Sequence, residues 1–503
     1  MLAVVITGKN RRDIINAINS LKKSDYEDLI ELRLDYIDIK NFDSKSKFLD
    51  DIISTAKIFG KTAIITIRKK SESGFFGASE EKRIELLNKS VELGADYVDV
   101  ESSCDEAAIK KIIKNKRKSK IIVSHHNFKE TPDNLSLSKS YNKIKSLNPD
   151  LIKIVTYANS VTDNFKIFDL IKKAGKENKK IIAFCMGPYG EFSRILSIIL
   201  GSAVTYASIS HGKESASSQI ALNEMKNVYR IKNLNKNTKI AGLIGNPVEH
   251  SWSHIIHNSA FEKLGINAVY LKFRVDKLKE FIEYFRNMNA LGFSVTIPHK
   301  VQAIDYLDEI DKTAKAIGAI NTIVARNKKF IGYNTDCNAA MHALQEKTVL
   351  ENKKVVILGA GGSARSIAYG LIENKSDATI LSRKIQNAKS LGEYFKCNYG
   401  SLNNLKNIDY DILINTTPVG MYPYINASPI PLNLVKKNKV VFDIVFNPYK
   451  TKLLEYAKNK GCTTIHGLDM LVNGAALQFK LWTNKDAPQK FMRKKVLDFI
   501  NNS

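Results

Sequence analysis

Short β-branched runs recur through the first 210 residues at a spacing of about 25 residues. They are Leu2–Thr7, Leu29–Tyr36, Thr62–Arg68, Ala95–Glu101, Lys120–His126, Leu151–Tyr157, Lys180–Met186 and Ala203–Ser210. Stretches with helical apolar spacing lie between them, such as Glu80–Leu93 and Phe165–Ala174. Eight alternating units of this kind predict a (β/α)8 barrel, with a parallel sheet inside a ring of helices.

In such a barrel the active site lies at the carboxyl ends of the strands. Those ends carry Glu31, Arg33 and Asp35, then Arg68, Asp99 and Glu101, His126, Lys153 and Met186. Strand alternation puts Glu31, Arg33 and Asp35 on one face. Charged groups inside a barrel need partners or a function, and an inward salt-bridge network would satisfy the first requirement. Lys153, set in Leu-Ile-Lys-Ile-Val, is a poor choice for packing alone. Burial lowers a lysine's pKa, and a neutral amine can attack a ketone. His125 and His126 point opposite ways along a strand, so one of the pair is placed for proton transfer.

The chain of 503 residues is too long for one core. No run of 18 apolar residues is present, and no leader pattern opens the sequence, so a cytoplasmic protein without membrane attachment is expected. The five cysteines are far apart, which suits a reducing compartment and argues against a metal centre. The net charge of +26 would suit nucleic acid. The lysines are nevertheless scattered over helix-like segments, so solvated faces explain them and no nucleic-acid partner is expected.

A polar, Asn/Lys-rich join spans residues 226 to 239, and the boundary is expected between 230 and 238. The strand Lys354–Leu358 then runs into Gly359-Ala-Gly-Gly-Ser-Ala-Arg365 and an apolar helix, the context a dinucleotide-binding turn requires. The next strand ends at Ser382-Arg383-Lys384, where basic residues suit the 2′-phosphate of NADP. Residues 239 to about 345 hold four polar clusters: Gly245–Ser253, Phe293–Lys300, Gly318–Thr322 and Gly332–Asp336. The expected domains are 1–228, then a substrate lobe 239–345 completed by 467–503, and a Rossmann NADP-binding domain 346–466.

Residues 1 to about 225 resemble type I 3-dehydroquinate dehydratase. The resemblance rests on Glu31-Leu-Arg-Leu-Asp35, Thr66-Ile-Arg68 with Glu72, Ser124-His-His-Asn-Phe128, Lys153, Met186-Gly, Phe192-Ser-Arg194 and Ser215-Ala-Ser-Ser-Gln219. It implies an imine between Lys153 and 3-dehydroquinate, His126 as the proton carrier and Glu72 as its orienting carboxylate. It further implies Glu31, Arg33, Arg68, Arg194, Ser215 and Gln219 as the substrate cage.

Residues 239 to 503 resemble shikimate dehydrogenase, at Ser251, Ser253, Thr296, Lys300, Asn321, Asp336, the run Thr416–Met421 and Gly467–Leu471. This resemblance implies Lys300 and Asp336 as the catalytic pair. It implies Ser251, Ser253, Thr296 and Asn321 as substrate ligands, with Gln478 standing in for a glutamine that falls on Gly474. NADP(H) would meet Gly359, Ala360, Gly361, Gly362, Ser363, Ala364, Ser382, Arg383, Lys384, Thr416, Thr417, Val445, Gly467 and Met470. No metal is implied. Three departures stand out: His254 in place of Pro, Gly474 in place of Gln and Phe446 in place of Tyr.

The first half's product, 3-dehydroshikimate, is the second half's substrate, so the two resemblances support each other. Together they imply dehydration of 3-dehydroquinate followed by NADPH-dependent reduction to shikimate. A dehydrogenase half that is weak or prefers quinate is the nearest alternative, and a quinate- or shikimate-sensing regulator is the alternative of another class. The oligomeric state is left open, a monomer included.

Overall fold

The computed structural model describes residues 1–21, 26–38 and 47–502. Its contacts divide the chain into two compact units, Met1–Thr238 with Val275–Lys277, and Lys239–Arg274 with Leu278–Ser503.

The first unit is built on β1 (Leu2–Thr7), β2 (Leu29–Arg33), β3 (Thr62–Thr66), β4 (Tyr97–Glu101), β5 (Lys120–His126), β6 (Leu151–Tyr157), β7 (Ile181–Met186), β8 (Thr205–Ser208) and β9 (Ile220–Ala221). They form one curled parallel sheet, ordered β7-β6-β5-β4-β3-β2-β1-β8-β9. The curl brings its ends together, where Ala203 N–H donates to Ile181 O at 2.7 Å. This is the barrel-like α/β architecture expected, with a ninth short strand added beside β8. The run expected at Leu29–Tyr36 leaves the sheet after Arg33 and closes as a 3-10 turn, Leu34–Tyr36.

Alternation explains where the polar residues gather. Leu29, Ile64, Tyr97, Ile122, Leu151 and Val204 belong to one apolar cluster filling the barrel. Two residues further along the same strands stand Glu31, Thr66, Asp99, Ser124, Lys153 and Tyr206. An apolar floor thus carries a polar layer toward the carboxyl ends of the strands.

The second unit holds two six-stranded sheets. The first comprises β10 (Lys239–Gly245), β11 (Ala268–Arg274), β12 (Ala290–Val295), β13 (Glu309–Ile310), β14 (Thr322–Arg326) and β15 (Lys329–Tyr333), in mixed order β11-β10-β12-β14-β15-β13. The second comprises β16 (Lys354–Leu358), β17 (Asp377–Ser382), β18 (Asn398–Ser401), β19 (Ile412–Asn415), β20 (Val440–Asp443) and β21 (Thr463–His466). Its order, β18-β17-β16-β19-β20-β21, is all parallel and reverses direction between β16 and β19, the doubly wound arrangement. The late helix Gly467–Thr483 returns to pack on the helices Asp336–Gln345 and Ser253–Lys263 of the first lobe.

Candidate active sites

In the barrel, Lys153 lies buried on β6 and donates to Asp99 Oδ2 at 2.9 Å and Glu31 Oε1 at 3.4 Å. Thr66 Oγ1 donates to the same Glu31 oxygen at 2.9 Å. Arg68 reaches Asp99 and Glu101 at 3.2 Å and Ser124 Oγ at 2.9 Å, while Ser124 donates to Asp99 at 2.6 Å. Asp99, Glu101 and Ser124 are thus structural members of the site that the resemblance did not assign. Their inward register on β4 and β5 was the signal for them.

The charge state of Lys153 differs from the sequence expectation. Burial does work to lower its pKa, but the carboxylates of Asp99 and Glu31 outweigh it and push the ammonium above its ordinary value. The resting site therefore holds a protonated lysine. Asp99 is pulled far below the carboxylate range, because Arg68 and Lys153 outweigh its burial.

His126 Nδ1 lies 2.9 Å from Glu72 Oε2, and Ser103 Oγ donates to the other Glu72 oxygen at 2.6 Å. Glu72 comes from a 3-10 turn just beyond β3. Burial first, then the nearby charges of Arg68 and Lys153, drop His126 well below its ordinary pKa and leave a neutral imidazole. His125, also lowered by burial, lies outside this pairing.

Arg33 forms a two-pronged ion pair with Asp35, 2.9 Å on each prong, so here the salt-bridge expectation describes what is seen. Arg194 differs. It is buried, donates to Ser217 O at 2.9 Å, and has no carboxylate partner among the described residues, while its Nε is unbonded. Burial pulls its guanidinium down to about 10. A buried cation left this way suits a carboxylate from a ligand. Ser215 and Gln219 are tied to each other through the glutamine oxygen at 2.8 and 3.2 Å.

The second unit gathers its groups between the lobe and the nucleotide turn. Lys300 Nζ donates to Asp336 Oδ2 at 2.5 Å and to Ser363 Oγ at 3.1 Å. Asn321 donates to the other Asp336 oxygen at 2.7 Å. Ser251 and Ser253 are 3.1 Å apart through their hydroxyls, and Thr296 follows β12 directly. Gln478 is buried with both ends of its amide engaged: it accepts from Ser294 at 2.7 Å and donates to Asn321 O and Thr322 Oγ1 at 3.2 and 3.1 Å. A Cβ at Gly474 would meet only Ala339 Cβ at 3.6 Å and Thr335 Oγ1 at 4.0 Å, so ordinary space exists there.

The glycine turn fits a dinucleotide. The helix Gly362–Glu373 starts without a side-chain cap, leaving its first N–H groups for phosphate oxygens. At Gly362 a Cβ would sit 3.0 Å from Lys300 Cδ, so any side chain there crowds the lysine. Ala360, Gly361 and Ser363 share this turn, whereas Ala364 and Met470 pack into the core below the sheet. Thr416 Oγ1 donates to Leu358 O at 2.7 Å, joining its loop to the end of β16, and Thr417 caps Asn415 at 2.7 Å. Arg383 and Lys384 are exposed just past β17, beside Ser382. Val445 is buried after β20. Gly467 starts the returning helix against Ile444 O and Val445 O, where a Cβ would come within 2.5 Å.

Family models match in the same order: type I 3-dehydroquinase over residues 2–236, the shikimate dehydrogenase substrate binding domain over 243–323, shikimate/quinate 5-dehydrogenase over 341–446 and the shikimate 5′-dehydrogenase C-terminal domain over 467–497. A chloroplastic bifunctional 3-dehydroquinate dehydratase/shikimate dehydrogenase of Arabidopsis thaliana is 35% identical, over 92% of this chain and 79% of its own. The chain belongs to the bifunctional 3-dehydroquinate dehydratase/shikimate dehydrogenase family. The shikimate biosynthesis protein AroDE of Chlamydia pneumoniae is 32% identical over 96% of this chain and 95% of its own. A crystal structure of a shikimate dehydrogenase with NADP+ superposes with TM-score 0.51 at 40% identity, covering 53% of this chain and 97% of that one. Among the described residues no group of three His, Cys, Asp or Glu is placed to hold a metal, and no helix is long and apolar enough to cross a membrane.

Proposed function

We propose that the two sites carry out consecutive steps, 3-dehydroquinate to 3-dehydroshikimate at Lys153 and 3-dehydroshikimate to shikimate at Lys300 and Asp336. The observation that carries the first step is the buried Lys153 beside a neutral His126 oriented by Glu72. Lys153 forms an imine with the ring ketone. The protonated imine withdraws electrons, the adjacent C–H becomes acidic, and His126 takes that proton and later returns it to the departing hydroxyl. Arg194, buried without a carboxylate, receives the substrate carboxylate, and Glu31, Arg33, Arg68, Ser215 and Gln219 enclose the rest of the ring.

In the second step NADPH supplies hydride when bound in the Gly359–Ala364 turn. Asp336 holds Lys300 by the ion pair, and Lys300 passes a proton to the oxygen that gains negative charge. Ser251, Ser253, Thr296 and Asn321 orient the ring, and Arg383 and Lys384 take the 2′-phosphate. Gln478 supports the site from behind Asn321. A cytoplasmic setting fits the cysteines, all five of which are free thiols.

The glycine at 474, where the family's glutamine amide is missing, favours a second reading in which the dehydrogenase half is weak or prefers quinate. Mixing the protein with 3-dehydroquinate and NADPH tests the whole proposal: shikimate should accumulate. Accumulation of 3-dehydroshikimate without shikimate would defeat the second step alone. Turnover of quinate faster than shikimate would replace the first reading of that half by the second.

A further inference from the structure

The lysine of the second site is held from two directions. Lys300 Nζ donates to Asp336 Oδ2 at 2.5 Å and to Ser363 Oγ at 3.1 Å. Asp336 opens a helix of the substrate lobe, whereas Ser363 stands in the first turn of the helix Gly362–Glu373, which opens the nucleotide fold. A second brace runs beside the first. Asn334, two residues before Asp336, donates to Ser366 Oγ at 2.9 Å, and Ser366 Oγ donates in turn to Gly362 O at 3.1 Å. Asn334 Oδ1 also accepts from the N–H of Cys337, which follows Asp336, at 3.2 Å. The turn that fits a dinucleotide thus touches the catalytic pair at Lys300 and again behind Asp336.

Electrostatics give the Ser363 contact a direction. The N-terminus of a helix carries partial positive charge. This helix has no side-chain cap, and the Lys300 stem passes close to Gly362, where an added Cβ would come within 3.0 Å of Cδ. A lysine nitrogen drawn this near is repelled by the helix end unless an oxygen stands between them. Ser363 Oγ is that oxygen. A serine hydroxyl has one hydrogen and two lone pairs, so accepting from Lys300 leaves its hydrogen for a further acceptor.

We propose that Ser363 is a positioning residue of the dehydrogenase site, its hydroxyl accepting from Lys300 and donating to a phosphate oxygen of the cofactor, so that filling the nucleotide turn sets the lysine for the ring. A phosphate at the helix end cancels the repulsion on Lys300. The same hydroxyl then holds the lysine nitrogen beside Asp336, and the Asn334–Ser366 brace keeps the two elements in register. Cofactor and ring therefore aid each other's binding through the protein, and this coupling is reciprocal. Ser363 acts on the ring through Lys300 alone.

This inference rests on Lys300 and Asp336 as the shikimate site, and one titration separates the two. Shikimate is titrated calorimetrically into the full chain, first alone and then saturated with 2′-phospho-ADP-ribose, the part of NADP that lacks the nicotinamide. That probe carries no group that meets the ring, so its effect on shikimate passes through the protein. In the wild type it should tighten shikimate binding by about 5-fold or more, the contribution of one hydrogen bond. In Ser363→Ala the factor should fall to near one with the melting temperature kept, since alanine favours a helix. Ser363→Thr keeps the hydroxyl and should restore the factor. An unchanged factor in the alanine variant overturns the positioning role, and weaker probe binding there would leave Ser363 as a phosphate ligand only. A factor near one in the wild type overturns it too, as does a loss that threonine fails to restore. No binding of shikimate to the wild type sinks the reading of the second site itself.

Discussion

Lys153 Nζ and Asp99 Oδ2 are 2.9 Å apart, and this pair sets the protonation state in which the dehydratase site waits. Asp99 is shared with Arg68, so one carboxylate neutralises part of two buried cations. An amine held as ammonium does not attack a ketone. Substrate entry must therefore loosen the pair or receive the proton directly.

Asp99→Asn should bring the Lys153 pKa down, because the largest charge opposing burial is removed and Glu31 is left as the main one. The pH above which borohydride traps the imine should move lower. Two buried cations also lose a partner, so the first unit should lose a few kcal/mol, on the order seen when buried pairs are broken. A denaturation curve with the trapping profile checks both, and an unmoved pH threshold would refute the role given to the pair.

His126 provides a pH signature. Its folded pKa lies well below the ordinary 6.5, with burial the main cause. The imidazole thus remains a usable base through pH 6.5 and below, and dehydratase kcat/KM should keep its value there unless another group intervenes. The stability sign follows from linkage: the unfolded chain takes up this proton first as pH falls. The folded state has its full advantage above about pH 6.5 and loses it on acidification toward the lowered pKa. His126→Ala should flatten that part of the stability–pH curve, and an unchanged curve would show that the histidine is not buried neutral.

The barrel was readable because β-branched runs alternate at a regular interval and fall in one parallel sheet. Strand period put Glu31, Arg33 and Asp35 on one face and separated His125 from His126, but the choice of His126 came from the family resemblance. The charge on Lys153 came from neither: burial is visible in the sequence, but Asp99 is 54 residues away, and its 2.9 Å approach is a product of the closed sheet. Arg33 was equally ambiguous, because only the turn at Leu34–Tyr36 swings Asp35 onto it. In the second unit the motif order was legible, whereas the engagement of both ends of Gln478 needed three elements to converge.

A side chain at Gly362 should displace Lys300. A Cβ there meets Lys300 Cδ at 3.0 Å and Lys300 Cβ at 3.1 Å, so Gly362→Ala pushes the catalytic lysine from Asp336. Alanine is a good helix former, so the fold should hold. Dehydrogenase kcat should drop roughly 10-fold or more, as small misplacements of reacting groups do, while dehydratase activity is untouched. Separate assays of the two reactions on one preparation decide it.

Arg383→Ala tests the choice of nicotinamide cofactor. A charged hydrogen bond to phosphate is worth about 1.5–3 kcal/mol, or roughly 10- to 100-fold in affinity. KM for NADPH should rise by that factor while KM for NADH changes little. Equal changes for both cofactors would remove Arg383 from the 2′-phosphate site.

Asp443, at the end of β20, gives the second unit its own acid dependence. Burial raises its carboxyl to about 6, against the hydrogen bonds from Thr451, the Val445 N–H and Asn415, which favour the ionised form. A folded pKa above the unfolded value of 3.8 means that the unfolded chain ionises first as pH rises. Stability contributed by this group is full below about pH 4 and is lost between there and pH 6. A shift of that size corresponds to about 3 kcal/mol. Asp443→Asn keeps an acceptor for Val445 and Asn415 but cannot ionise. Its stability relative to the wild type should therefore climb by up to about 3 kcal/mol between pH 4 and pH 7 and level off above. Denaturant midpoints of the second unit, followed at both pH values, measure the difference, and a gap that does not change with pH would show that Asp443 is not a buried acid of raised pKa.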